Sequence, residues 1–97
     1  MAFVQIIDFR SSDFDGLKKS NEEWEAATEG KRTVRRQIVG RDRNDPSRYV
    51  VIVFFDSYES AMENSNLSET QEFAAKMGTL VDGEMSFRDL DIIEDRS

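Results

Sequence analysis

Three side chains in this chain of 97 residues, Asp8, Asn21 and Arg35, have the types needed to move a proton and to hold the charge left behind. Asp8 is set in the apolar run Phe3-Val-Gln-Ile-Ile-Asp-Phe9, and a carboxylate in an apolar cavity has a raised pKa that suits a general base. Arg35 can stabilise the negative charge that develops on an enolate oxygen, and Asn21 can hydrogen-bond to the same oxygen. Six further residues are candidates for holding such a molecule. Trp24 and Phe55 offer flat apolar walls, Gln5 and Gln37 place amides on strand faces, and Tyr49 and Tyr58 can hydrogen-bond to a phenolic or quinone-like group. Each has a structural alternative. Asp8 can pair with Arg10 or Arg88 or reach solvent, and Arg35 can pair with an acidic neighbour. Asn21 can cap a loop or lie exposed, Trp24 can be core with its indole N–H at a polar edge, and Tyr58 can pack at a surface or interface.

The residue types that are missing narrow the chemistry. There is no histidine and no cysteine, so Ser-His-Asp and Cys-His catalysis, imidazole ligation and disulfides are out of reach. The acidic residues are scattered without EF-hand spacing, and neither a metal site nor a cofactor is expected. A net charge of −7 argues against binding nucleic acid, which needs a positive field along the phosphates. Arg35, Arg36, Arg41, Arg43 and Arg48 cluster near one hairpin, as a solvated edge or as an anion patch. No apolar run approaches membrane-spanning length, so no membrane partner is expected. The N-terminus lacks the basic start and cleavage site of a signal peptide, which makes a cytoplasmic location the expectation.

The elements that must position these residues follow from periodicity. Residues 3–9 read as a central strand with Phe3, Gln5, Ile7 and Phe9 on one face and Val4, Ile6 and Asp8 on the other. Ser11, Ser12 or Asp13 caps a helix carrying Phe14, Leu17, Asn21 and Trp24 on one stripe, and Gly30 ends it. Residues 33–43 form a charged edge strand, with Arg35 and Gln37 on one face. Tyr49 to Phe55 is uninterruptedly apolar or aromatic and reads as a strand covered on both faces. Asp56 or Ser57 caps a short helix that ends near Asn64, and a break at Leu67-Ser68 follows. Ser68, with Gln71, opens a last helix that carries Phe73, Ala74, Met77, Leu80 and Val81 and is closed by Asp82-Gly83. Residues 85–93 form a final strand whose apolar parity switches between Phe87 and Leu90, as a bulge or two-sided burial would allow. The whole chain, 1–97, is one α+β domain of order βαββαβ, a ferredoxin-like antiparallel sheet with strand order fourth, first, third, second.

Right-handed crossovers put the helices on one side of that sheet. The other side keeps about half of the apolar side chains of the first and third strands, a patch beyond the few hundred Å² a monomer tolerates. A homodimer through sheet-to-sheet packing is therefore expected.

The stretch Phe55-Asp-Ser-Tyr-Glu-Ser-Ala-Met62, followed by Asn64-Ser65, Glu69-Thr70 and Phe73, resembles the dimeric α/β-barrel superfamily and, more loosely, its antibiotic-biosynthesis-monooxygenase-like members. The resemblance spans nearly the whole chain and implies two sheets forming a barrel, with a small-molecule pocket between sheet and helices. Members include cofactor-independent oxygenases, haem-degrading enzymes and muconolactone-isomerase-like enzymes. The haem-degrading members use a histidine that is absent here, and Asn64 and Trp24 match the oxygenase-like members' pocket residues in type without a secure alignment. Together these expectations describe a small-molecule-binding protein, as a metal-free monooxygenase or isomerase for a small aromatic or polyketide-like substrate. The alternative is a non-catalytic ligand-sensing or interaction module with a filled core. A cavity above about 300 Å³ with converging polar groups separates the two.

Overall fold

The computed structural model describes residues 1–97. The elements are β1 (Phe3–Arg10), α1 (Phe14–Ala27), β2 (Arg36–Arg41), β3 (Arg48–Phe55), α2 (Tyr58–Asn66), α3 (Ser68–Leu80) and β4 (Asp82–Asp91). The four strands form one antiparallel sheet in the order β2-β3-β1-β4, as the hydrophobic pattern requires. The two most apolar strands are central, and the most charged one is an edge. The fold is α+β, ferredoxin-like.

Local chemistry explains the boundaries. Asp13 is the cap of α1, its carboxylate accepting from the Gly16 N–H at 3.0 Å. Ser11 instead ties the start of α1 to the end of α3, because its hydroxyl accepts from the Asp13 N–H and donates to the Leu80 carbonyl. The reciprocal capping box forms at α2, between Ser57 and Ser60, and not at Ser68 and Gln71. Ser68 is already helical and turns its hydroxyl to Glu69, so α3 starts behind an extended Leu67 with no side-chain cap. β2 is shorter than its sequence span, because Thr33 donates to the Ser60 carbonyl and Asp42 folds into a turn that receives the Asn44 N–H.

Val81 ends α3, and β4 begins directly at Asp82. The irregularity of β4 lies at this end, between the Asp8–Ser86 and Arg10–Asp82 pairs, where Gly83 adopts a φ of 82° that side chains rarely tolerate. From Phe87 to Asp91 the ladder is regular, so Phe87 and Leu90 simply face opposite sides.

One face of the sheet holds the core. Phe3, Phe9, Tyr49, Val51, Val53 and Phe55 point toward the helices and are buried with Leu17, Ala61 and Met77. The other face carries Val4, Ile6, Val50, Ile52, Phe54, Ile38 and Leu90, and no element of this chain covers it. Burial along β3 alternates accordingly, with Val50, Ile52 and Phe54 only half-buried in the single chain.

Candidate functional site

Between the helical layer and the sheet lies a cavity of about 340 Å³. Its floor is set by register. One row across the sheet reads Val39–Val51–Ile7–Phe87 and the next reads Gln37–Val53–Gln5, with Asp89 continuing that row outside the lining. α1 supplies Phe14, Leu17, Asn21 and Trp24 to the lining, α3 supplies Thr70, Phe73 and Met77, and α2 closes one side with Asn64 and Ser65. Lys18, Gln71 and Phe87 line the cavity and are exposed, which marks where it meets solvent.

The roof is held by polar and aromatic contacts between α1 and α3. The Trp24 indole N–H donates to Thr70 Oγ1 at 3.0 Å, and its ring lies 5.8 Å from that of Phe73. The Arg32 guanidinium stacks 5.9 Å from the Trp24 centroid. Two ion pairs, Lys31–Glu69 at 2.6 Å and Lys76–Glu23 at 3.0 Å, reinforce the same seam from outside. The Glu69 carboxyl is lowered from 4.5 to about 2, first by the Lys31 ammonium and then by its own backbone N–H and Ser68 at the start of α3.

Five of the nine sequence candidates meet in this cavity: Gln5, Asn21, Trp24, Gln37 and Phe55. Asn21 and Gln37 form a reciprocal amide pair, each donating to the other at 3.2 Å, and Asn21 also donates to Glu25 at 3.1 Å. Trp24 is buried, satisfied at its N–H and part of the wall.

The other four lie elsewhere. Asp8 points to the uncovered sheet face, where Arg48 grips it with two parallel bonds of 2.9 and 3.0 Å. That hydrogen-bonded guanidinium holds the Asp8 carboxyl below its ordinary value, the reverse of what a base needs. Its partner is Arg48 because the two residues are near neighbours on adjacent strands, while Arg10 pairs instead with Asp45. Arg35 precedes β2, and its Nε and Nη2 both reach Asp56 Oδ2 at 2.9 and 2.5 Å, in an exposed pair outside the cavity. Arg35 therefore does not join Gln37 in the lining, because Asp56 holds its guanidinium outside the cavity. Tyr49 is buried in an aromatic stack with Phe14 at 4.8 Å and Phe9 at 5.8 Å, away from the lining. Tyr58 is 51% exposed and sits edge-on to Phe3 at the far end of the sheet.

Asn64 is the functional candidate that the expected site lacked. It is 6% exposed, lines the cavity, and its Oδ1 is buried with no hydrogen-bond partner. Buried amide oxygens are normally paired, so this acceptor is an exception, and it is enclosed by protein atoms and not presented to the open space. The signal was present in the sequence: Asn64 follows Ala61 by three residues and so shares the buried stripe of α2.

No cluster of three acidic, histidine or cysteine side chains is placed to hold a metal ion, and no helix is long and apolar enough to cross a membrane. No protein-family model matches the sequence, and no curated protein matches it significantly. Solved structures do match its fold. SnoaB, a cofactor-independent oxygenase from Streptomyces nogalater, superposes with a TM-score of 0.81 at 10% identity over 97% of this chain and 95% of that one. Rv0793 from Mycobacterium tuberculosis gives 0.80 at 13% identity, with both chains fully covered. A third structure, described as an antibiotic biosynthesis monooxygenase, gives 0.75 at 14% identity over 97% of this chain and all of that one. At such identities the likeness is one of fold.

Proposed function

We propose that the chain is one subunit of a homodimeric α/β barrel whose sheet–helix cavity binds a small, flat, largely apolar molecule, and that it acts on that molecule as a metal-free oxygenase or isomerase. The substrate class is aromatic or polyketide-like. One observation carries the reading: a cavity of about 340 Å³ with mostly apolar walls and the amide residues Gln5, Asn21, Gln37 and Asn64 in its lining. That volume is within the range of ligand sites, and apolar walls with a few converging polar groups are their usual chemistry. The fold shared with a cofactor-independent oxygenase supports the reaction class.

In this reading Trp24 and Phe55 hold the ring, while Gln5, Asn64 and the Asn21–Gln37 pair meet its polar substituents. Lys18 is the only ionisable side chain on the wall and is a cation at the exposed mouth, so proton removal rests on the acidity of the substrate, with the proton passing to solvent and Lys18 offsetting the charge left behind. Arg35 and Asp8 keep structural roles at the rim and on the opposite face. A second copy covers the apolar sheet face, because large side chains of both central strands stand there half-exposed.

Native mass spectrometry of protein isolated from its source tests both parts. The expected result is an assembly of twice the 11.2 kDa chain with a retained small molecule. A bare single chain at micromolar concentration, together with no binding to a panel of fused-ring phenols, overturns the reading. The shortage of an interior carboxylate base favours a second reading, a ligand-sensing module that binds without turnover. Dioxygen uptake or product formation with a bound phenol separates the two.

A further inference from the structure

The amides inside the cavity are oriented by carboxylates outside it. Gln5 Nε2 donates to Asp89 Oδ1 at 3.1 Å, and the two residues are direct partners in the β1–β4 ladder, so register alone brings them together. An ionised carboxylate accepts hydrogen bonds and cannot donate them. Asp89 therefore draws the NH₂ end of the Gln5 side chain toward the sheet edge. The carbonyl end, Oε1, makes no hydrogen bond within the protein and is left for whatever occupies the cavity that Gln5 lines. The contrast is with Asn21 and Gln37. Their amides are turned toward each other, with Glu25 fixing the Asn21 NH₂ group, so both are largely spent.

We infer that Asp89 is a positioning residue that gives the Gln5 subsite the character of a hydrogen-bond acceptor. The cavity then selects ligands that present a hydroxyl or amine donor over the same ring bearing a methoxy or keto group. The inference rests on the cavity being a ligand site and adds to it the polarity of the ligand and the residue that sets that polarity. Asparagine at position 89 would accept from or donate to Gln5 equally well, leaving the Gln5 amide free to turn over and offer N–H to the ligand.

The test compares two probes of one ring system, 1-naphthol and 1-methoxynaphthalene, by titration calorimetry against the intact protein and two variants, Asp89→Asn and Gln5→Met. The unaltered protein is expected to bind the naphthol about tenfold more tightly, because a ligand without a donor leaves the Gln5 carbonyl unpaired. In both variants that ratio should shrink to within about threefold, since the oriented carbonyl is freed or removed. The ratio is the decisive readout: a merely structural role for Asp89 would weaken both probes alike. Equal binding of the two probes by the unaltered protein, or an unchanged ratio in either variant, overturns the inference and leaves the cavity as a ligand site. Failure of the unaltered protein to bind either probe overturns the ligand site itself, and the inference with it.

Discussion

The two faces of one sheet present opposite problems. The helix side is covered by three helices yet retains empty space, and the bare side is covered by no element of the chain. The same strands supply both, with residues alternating side by side along the chain, so the difference comes from what lies above and not from strand composition. On the covered side, interior polar groups are paired with one another or steered by rim carboxylates, and a small remainder stays open. On the bare side, the polar groups include an ion pair, Arg48–Asp8, an arginine, Arg36, lying 5.7 Å over the Phe54 ring, and Arg88 and Ser86 opposite Ile6 and Asp8. The first arrangement suits a small guest, and the second suits a large flat partner.

Neighbouring phenylalanines sharpen the comparison most. Phe55 faces the helices and is 6% exposed, while Phe54 faces the bare side and is half-buried. Phe55→Ala is expected to cost about 3–5 kcal/mol of folding stability, the same at every protein concentration. Phe54→Ala should show its main loss through self-association, so that its deficit in Tm relative to the unaltered chain changes across a concentration series. Denaturant melts over that series measure both, and identical behaviour of the two variants would break the two-face picture.

The next effect concerns the unpaired acceptor. Asn64→Leu removes a buried unpaired polar group at similar volume, and a gain of about 1 kcal/mol in stability is expected together with weaker binding of fused-ring phenols. A loss of stability with binding unchanged would assign Asn64 to the scaffold.

The sequence showed much of this in advance, for reasons specific to each residue. Gln5, Asn21, Trp24, Gln37 and Phe55 were legible because strand parity and helical spacing report which face a side chain takes. Arg35 and Asp8 were misplaced because type and parity do not say which oppositely charged neighbour lies within reach. Arg48 is a distant residue in sequence that the β1–β3 register brings beside Asp8, and Asp56 is brought beside Arg35 in the same way. Tyr49 has the parity of the cavity floor, but Phe14 stacks on it and closes that end.

A smaller effect is predicted at the α1–α3 seam. The depressed Glu69 carboxyl contributes stability that is fully present above its unfolded value near 4.5 and is lost as pH falls through about 2. Glu69→Gln should therefore melt with less dependence on pH across that acid window and differ most from the unaltered chain above it. Parallel acid melts of the two proteins would contradict this.

The smallest effect is expected at Arg35. Its pair with Asp56 is exposed at both ends, so Arg35→Ala should leave Tm and probe binding unchanged within error. A large loss of binding would bring Arg35 back as a residue acting on the ligand.

By itself the sequence determined the order of elements, the strand order, the two apolar faces and the amides available to a cavity, because each follows from local periodicity and the rule of right-handed crossovers. Only the tertiary structure decided that the helices stand off the sheet far enough to leave a hollow, that the Asn64 carbonyl is enclosed without a partner and that Gln5 donates to Asp89. These depend on ångström-scale distances between residues far apart in the chain, which residue type and spacing do not encode.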